Sequence, residues 1–278
     1  MYNLRYHIAS LVAVFLSLSI GLLLGTIVVE RGMLDGQRDT IVQSLQEEFR
    51  TLSTDNNEMR AEISSQEDFI GTLLETAVDG SLEGRTVLVV ASTGRADGLG
   101  STNDAIRNAG GTPVTLLLST PSFGVDDAAV SSAVTETIGP VEPDTMLDET
   151  VSRLAAEWSV AGDVRPLTET LEDLGVLRVD GDTGDAVSAI VVMASFNDVP
   201  DEGAIALAQA LGEGGATTCG VESETQVTGV ATAALEAGLS GVDHIGTPEG
   251  AFSMTWVLAG RASGYFGTGD GAQAPWPE

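Results

Sequence analysis

Lysine is absent from this 278-residue chain, and cysteine and histidine nearly so, with one and two copies. Without lysine there is no P-loop, no Schiff-base nucleophile and no kinase-type phosphate lysine. The single Cys219 cannot close an internal disulfide, so stability has to come from an ordinary core. Two histidines, one cysteine and six methionines are scattered along the chain, and only Met1 and His7 lie close together, so the soft donors that copper(I) prefers form no local cluster. Aromatics make up only 5% of residues. A transmembrane barrel needs many alternating strands of about ten residues with aromatic girdles, and the apolar runs here are continuous instead. Basic residues are scarce too: 12 arginines stand against 41 acids, a formal net charge of −29. That balance argues against nucleic acid as a partner and against electrostatic binding to anionic lipid or wall polymers, and it suits salty or alkaline surroundings.

What the sequence does have begins with an uncharged run of 22 residues, Ile8 to Val29. A signal peptide has a shorter apolar core and a small-x-small cleavage site, whereas about 20 apolar residues span a bilayer. Thr26-Ile27-Val28-Val29 is bulky and β-branched where a cleavage site would be small, so an uncleaved anchor is expected. Arg5 precedes the run with no acid beside it, and a slightly acidic set, Glu30, Arg31, Asp35, Arg38 and Asp39, follows. The positive-inside tendency then puts residues 1–7 in the cytoplasm, 8–29 across the cell membrane as a single pass, and the body outside.

Within that run Ala9, Ala13, Ser17, Gly21 and Gly25 recur every fourth residue. Small residues in register let lipid-embedded helices approach closely, so this stripe is a candidate dimer face. Beyond an expected hinge at 30–41, which holds Gly32 and Gly36, a heptad repeat runs over 42–78. Its a positions are Val42, Phe49, Asn56, Ile63, Ile70 and Ala77, and its d positions Leu45, Leu52, Met59, Gln66 and Leu73. Such a seam describes a parallel two-stranded coiled coil about 55 Å long, and a buried Asn56 would meet its own copy and fix the register. The alternative is an amphipathic helix folded back on the globular domain.

From residue 85 the pattern changes. Thr86-Val87-Leu88-Val89-Val90-Ala91 is an unbroken apolar run, the mark of a strand buried on both faces of a parallel sheet. A helix around 103–109 and the run Pro113 to Leu118 complete a β-α-β unit, and the alternation returns at 189–194, 202–212, 217–221, 227–237 and 242–245. A doubly wound, Rossmann-like α/β domain over 85–265 is expected, with a helical insertion at about 121–176 and a Gly/Pro-rich tail at 266–278 that fits either an ordered end or a loose one.

No catalytic and no metal-ligating residue stands out. The loop after the first strand carries Gly98-Leu99-Gly100, but Asn103 occupies the third glycine position of a dinucleotide fingerprint. Cys219 lies inside a strand-like run, where a thiol behaves as a small hydrophobe. An enzyme would require Asp97, Cys219 and His244 to converge on one pocket.

The opening Asn3-Leu4-Arg5-Tyr6-His7-Ile8-Ala9-Ser10-Leu11-Val12-Ala13-Val14-Phe15-Leu16, continuing to Gly21-Leu22-Leu23-Leu24-Gly25, resembles the start of the actinobacterial copper transport protein B family, MctB. The succession of heptad helix, α/β domain and glycine-rich end Gly264 to Ala272 is similar as well. The resemblance implies a role in copper efflux or tolerance as an envelope pore, with copper as its only implied ligand. It also implies a link to cell division, through membrane-tethered regulation of peptidoglycan hydrolases. The residues themselves describe a dimeric, non-enzymatic rod that displays a binding domain to an envelope protein partner.

Overall fold

The computed structural model describes residues 4–30, 33–94, 97–223 and 228–277, with side chains of 28–40 and 67 left aside. The chain divides into two units, Met1–Gln66 and Glu67–Glu278. The first holds α1 (Leu4–Glu30) and most of α2 (Met33–Val78). α1 contains a 23-residue span, Arg5–Ile27, long and apolar enough to cross a membrane. Because α2 starts at Met33, residues 33–41 are helical where a hinge was expected, while Arg31 and Gly32 lie outside the described residues.

The second unit is an α/β domain around a seven-stranded sheet. In chain order its elements are β1 (Thr86–Ser92), α3 (Leu99–Asn108), β2 (Thr112–Leu118), α4 (Ala128–Ile138), α5 (Met146–Trp158), α6 (Pro166–Asp173), β3 (Leu177–Asp180) and β4 (Val187–Val192). A two-residue hairpin follows, β5 (Ser195–Phe196) with β6 (Val199–Pro200). The chain then continues through α7 (Glu202–Glu213), β7 (Thr217–Val221), α8 (Val230–Glu236), β8 (Ser240–Val242), α9 (Pro248–Leu258) and β9 (Tyr265–Phe266). The order across the sheet is β3-β2-β1-β4-β7-β8-β9, parallel throughout except for β3, which lies antiparallel at one edge.

Alternation along the central strands sorts their side chains into two cores. Leu88 and Val90 of β1 point to one face, with Leu116, Ile190 and Val192, and pack against Val134, Leu154, Trp158, Leu171 and Leu207 of α4 to α7. Val87, Val89 and Ala91 point to the other, with Val191 and Val221, and meet Ile106 of α3, Met254 and Leu258 of α9, and Val78 at the end of α2. Burial on both faces explains why these strands read as unbroken apolar runs.

The expected insertion is helical, as α4, α5 and α6. It is tied down by acids that cap helices. Asp127 accepts from Ala129 and Val130 amides, and Glu157 accepts from the Leu167 and Thr168 amides that open α6. Asp201 caps α7 through the Ala204 amide at 2.8 Å and also takes the Ser122 amide at 2.7 Å. Ser122 and Phe123 hold positive φ (48° and 56°), a strained turn that tucks the fully buried Phe123 against Gly203.

Candidate functional site

In an open parallel sheet the place for a ligand is the crevice outside the carboxyl ends of the strands, where the strand order reverses. Here that point lies between β1 and β4. The Ser92 hydroxyl donates to the Ser195 carbonyl at 2.7 Å and bridges the two strand ends. The loop after β1 comes back in contact with the sheet at Gly98, with φ 83° and a site where a Cβ would stand 2.7 Å from Ile245 Cγ2 and 3.6 Å from Met193 Cε. Gly98 therefore closes the crevice on the chain's own side chains instead of cradling a phosphate, and Gly100 faces open space. The cavity left, lined by Asp97, Met193, Ser195, Val221, Glu222, Ser223 and Thr228, has a volume of about 10 Å³, the size of one water.

The richest polar cluster lies further along the same rim, after β7, β8 and β9. Glu222, 6% exposed, accepts from the Ala231 amide at 2.9 Å and so caps α8 from a neighbouring strand. Burial pushes its carboxyl up, the α8 amides pull it down, and the nearby Asp243 adds to the rise; the net shift is upward. Asp243, 4% exposed, accepts from the Gly269 amide at 2.7 Å, the Thr268 amide at 2.9 Å and the Tyr265 hydroxyl at 3.0 Å, and its other neighbour is His244 Nδ1. Burial opposes its charge, yet these hydrogen bonds outweigh burial and hold it below the usual carboxylate range. Burial first, and then Asp243, push the Tyr265 phenol up.

His244 adopts φ 56° and stands next to Thr268, whose Oγ1 is 3.0 Å from Nε2 and 3.2 Å from Nδ1. A hydroxyl nearly equidistant from both ring nitrogens is not in line with one lone pair, as a nucleophile–base pair requires. Both carboxylates are engaged by main-chain donors.

Asp97 lines the small cavity at the switch point, and neither Cys219 nor His244 is part of that lining. Cys219 is fully buried in the apolar layer of β7, its thiol pushed up by burial, and its sulfur lies 3.7 Å from the Gly220 carbonyl. Met193 and Met254 are buried as well, Met146 lies in the opposite core and Met59 is exposed on α2. No group of three His, Cys, Asp or Glu side chains suited to a metal ion occurs among the described residues. Cys219, Met193 and Met254 share the apolar core on one face of the sheet.

The seam residues of α2 from Val42 to Leu73 that are apolar, namely Val42, Leu45, Phe49, Leu52, Met59, Ile63, Ile70 and Leu73, are all exposed, Phe49 at 77% and Leu52 at 64%. Asn56 and Gln66 are exposed between them, and Asn56 Oδ1 accepts from Arg60 Nε at 2.7 Å. On α1 the stripe Ala9, Ala13, Ser17, Gly21 and Gly25 is exposed as well. At the other end of α2, an apolar groove of about 200 Å³ runs between α2, α3 and α9, floored by Leu74, Val78, Ala105, Ala251 and Phe252 and rimmed by Glu75 and Asp104.

Most of the Asp243 cluster was hidden in the sequence because two of its donors are the backbone amides of Thr268 and Gly269, 25 and 26 residues further on. No curated protein matches the chain. The family model described as copper transport outer membrane protein, MctB, matches residues 1–277, nearly the whole length, and the chain belongs to that family.

Proposed function

We propose that the chain is a single-pass, parallel-dimeric, non-enzymatic protein of the cell envelope that serves copper efflux or tolerance, its amino terminus cytoplasmic and its α/β domain outside. The observation that carries this reading is the run of exposed apolar seam residues on α2, directly after a helix able to cross a membrane. A helix that leaves an apolar stripe in water is stabilised by burying it against a second copy, and copies anchored in one membrane meet in parallel. The small-residue stripe of α1 supports the same pairing.

Three observations support a binding and structural role for the domain. Its strand order and its two helical covers fit a doubly wound, Rossmann-like fold. At its switch point Gly98 lies against Met193 and Ile245, and the cavity among the described residues there is about 10 Å³, where ligand pockets usually offer several hundred. Its sheet is buried in helices on both faces, so membrane attachment through α1 fits better than through the sheet. The burial of Cys219, Met193 and Met254 inside the core favours passage or indirect control of copper over storage in the domain.

A second reading is a membrane-tethered scaffold for peptidoglycan hydrolases, and the apolar groove between α2, α3 and α9 favours it. A deletion strain separates the two. Raised cellular copper and poor growth on copper, restored by the full chain, support the first. Normal copper tolerance with unseparated daughter cells overturns it in favour of the second.

A further inference from the structure

The edge of the sheet at β9 is covered by the chain's own end. The Gln273 amide donates to the Tyr265 carbonyl at 2.8 Å, the Gly267 amide donates to the Ala274 carbonyl at 3.0 Å, and Ala274 bridges Phe266 in parallel register. Residues 272–275 thus lie where an eighth strand would. The segment leading to them is short and glycine-rich, and its side chains are exposed or half-buried until Pro277. Besides those main-chain bonds, the segment is held to the sheet by one carboxylate, that of Asp243, gripped by the Thr268 and Gly269 amides. The fit is close: a Cβ on Gly267 would stand 1.9 Å from Asp243 Oδ1, and one on Gly269 2.6 Å from the Tyr265 hydroxyl and 2.7 Å from Asp243 Oδ2.

We propose that residues 267–275 are a displaceable strap over a strand-docking edge, latched by Asp243, and that the edge beneath accepts an extended, parallel backbone of small residues in their place. Two properties argue for it. A short edge segment held largely by hydrogen bonds, with Ala274 packed against the core, opens locally at a lower free energy than the core itself. An opened β9 would present a row of unpaired main-chain groups, which is what strand addition uses.

The test uses the full chain in detergent micelles. Hydrogen exchange at Thr268, Gly269 and Gln273 is compared with Val89 and Ile190, in wild type, Asp243→Asn and Gly269→Ala. A fluorescent peptide with the sequence of residues 270–277, DGAQAPWP, is titrated into each. The strap amides should exchange at least tenfold faster than the core amides in wild type, faster still in both variants, and the peptide should bind the variants at least tenfold more tightly. Gly269→Ala lies on the strap and crowds the Asp243 carboxylate and the Tyr265 hydroxyl without removing either, so it answers even where Asp243→Asn unfolds. Exchange of strap and core at one common rate, no gain in peptide binding, or cooperative unfolding of both variants would each overturn the proposal.

Discussion

The Asp243 carboxylate and the Gly269 amide lie 2.7 Å apart, joining the end of β8 to a residue 26 positions later and closing the carboxyl rim of the sheet. Hydrogen bonds to a buried charged group each contribute roughly 1.5–3 kcal/mol. Asp243→Ala should therefore lower stability by about 2–4 kcal/mol, read from denaturant midpoints.

The pH dependence of this contribution has a definite sign. Asp243 is held below its ordinary value, so its stabilisation is complete above about pH 4 and fades as the pH falls through its folded value. Wild type should lose more melting temperature between pH 5 and pH 3 than Asp243→Asn does. Parallel curves for the two proteins would show that the carboxylate's charge is not what holds the strap.

Glu222 behaves in the opposite sense. Its raised carboxyl favours the folded state at low pH and costs stability as the pH rises through its folded value. Glu222→Gln keeps an acceptor for the Ala231 amide without the buried charge and should be as stable as wild type, or more so, at pH 8. Glu222→Ala loses the cap of α8 and should cost about 1–2 kcal/mol. Equal losses in both variants at pH 8 would contradict the assignment.

Close approach of α8 to the sheet depends on Gly220. A Cβ there would stand 2.4 Å from Ala234 Cβ and 2.9 Å from the Val230 carbonyl. Gly220→Ala should destabilise by about 1–3 kcal/mol through overpacking, whereas Gly100→Ala, which faces open space, should be neutral or better. Thermal melts of the two variants check the contrast.

With a net charge of −29 and no lysine, the folded state repels itself. Screening shortens the reach of that repulsion from about 10 Å at 0.1 M salt to about 3 Å at 1 M. The melting temperature should climb steadily between 0.05 and 1 M sodium chloride. A flat or falling curve would show that the acids are compensated locally.

Much of this architecture is written in the sequence. β1, β2 and β4 stand where the apolar runs are, since strands buried on both faces favour apolar residues, and β7 follows from the returning alternation. The insertion is helical as its spacing suggests. α9 was missed although Thr247 caps it and Pro248 opens it, because Pro248–Leu258 is apolar on most sides and shows no amphipathic period. β3 has only four residues, Leu177 to Asp180, and it lies at an edge where pairing with β2 decides the outcome. The tail looked equally fit for disorder because its order comes from backbone groups around Asp243, and main-chain hydrogen bonds leave no trace in side-chain patterns.

The central claim is that two copies pair in parallel along the α2 seam. Cys219 is buried and the chain has no other cysteine, so single cysteines placed at Leu52→Cys, on the seam, and at Thr54→Cys, off it, report the pairing directly in membranes under mild oxidation. The account predicts a disulfide-linked dimer from Leu52→Cys and little from Thr54→Cys. Equal cross-linking at both positions, or none at either, would contradict it.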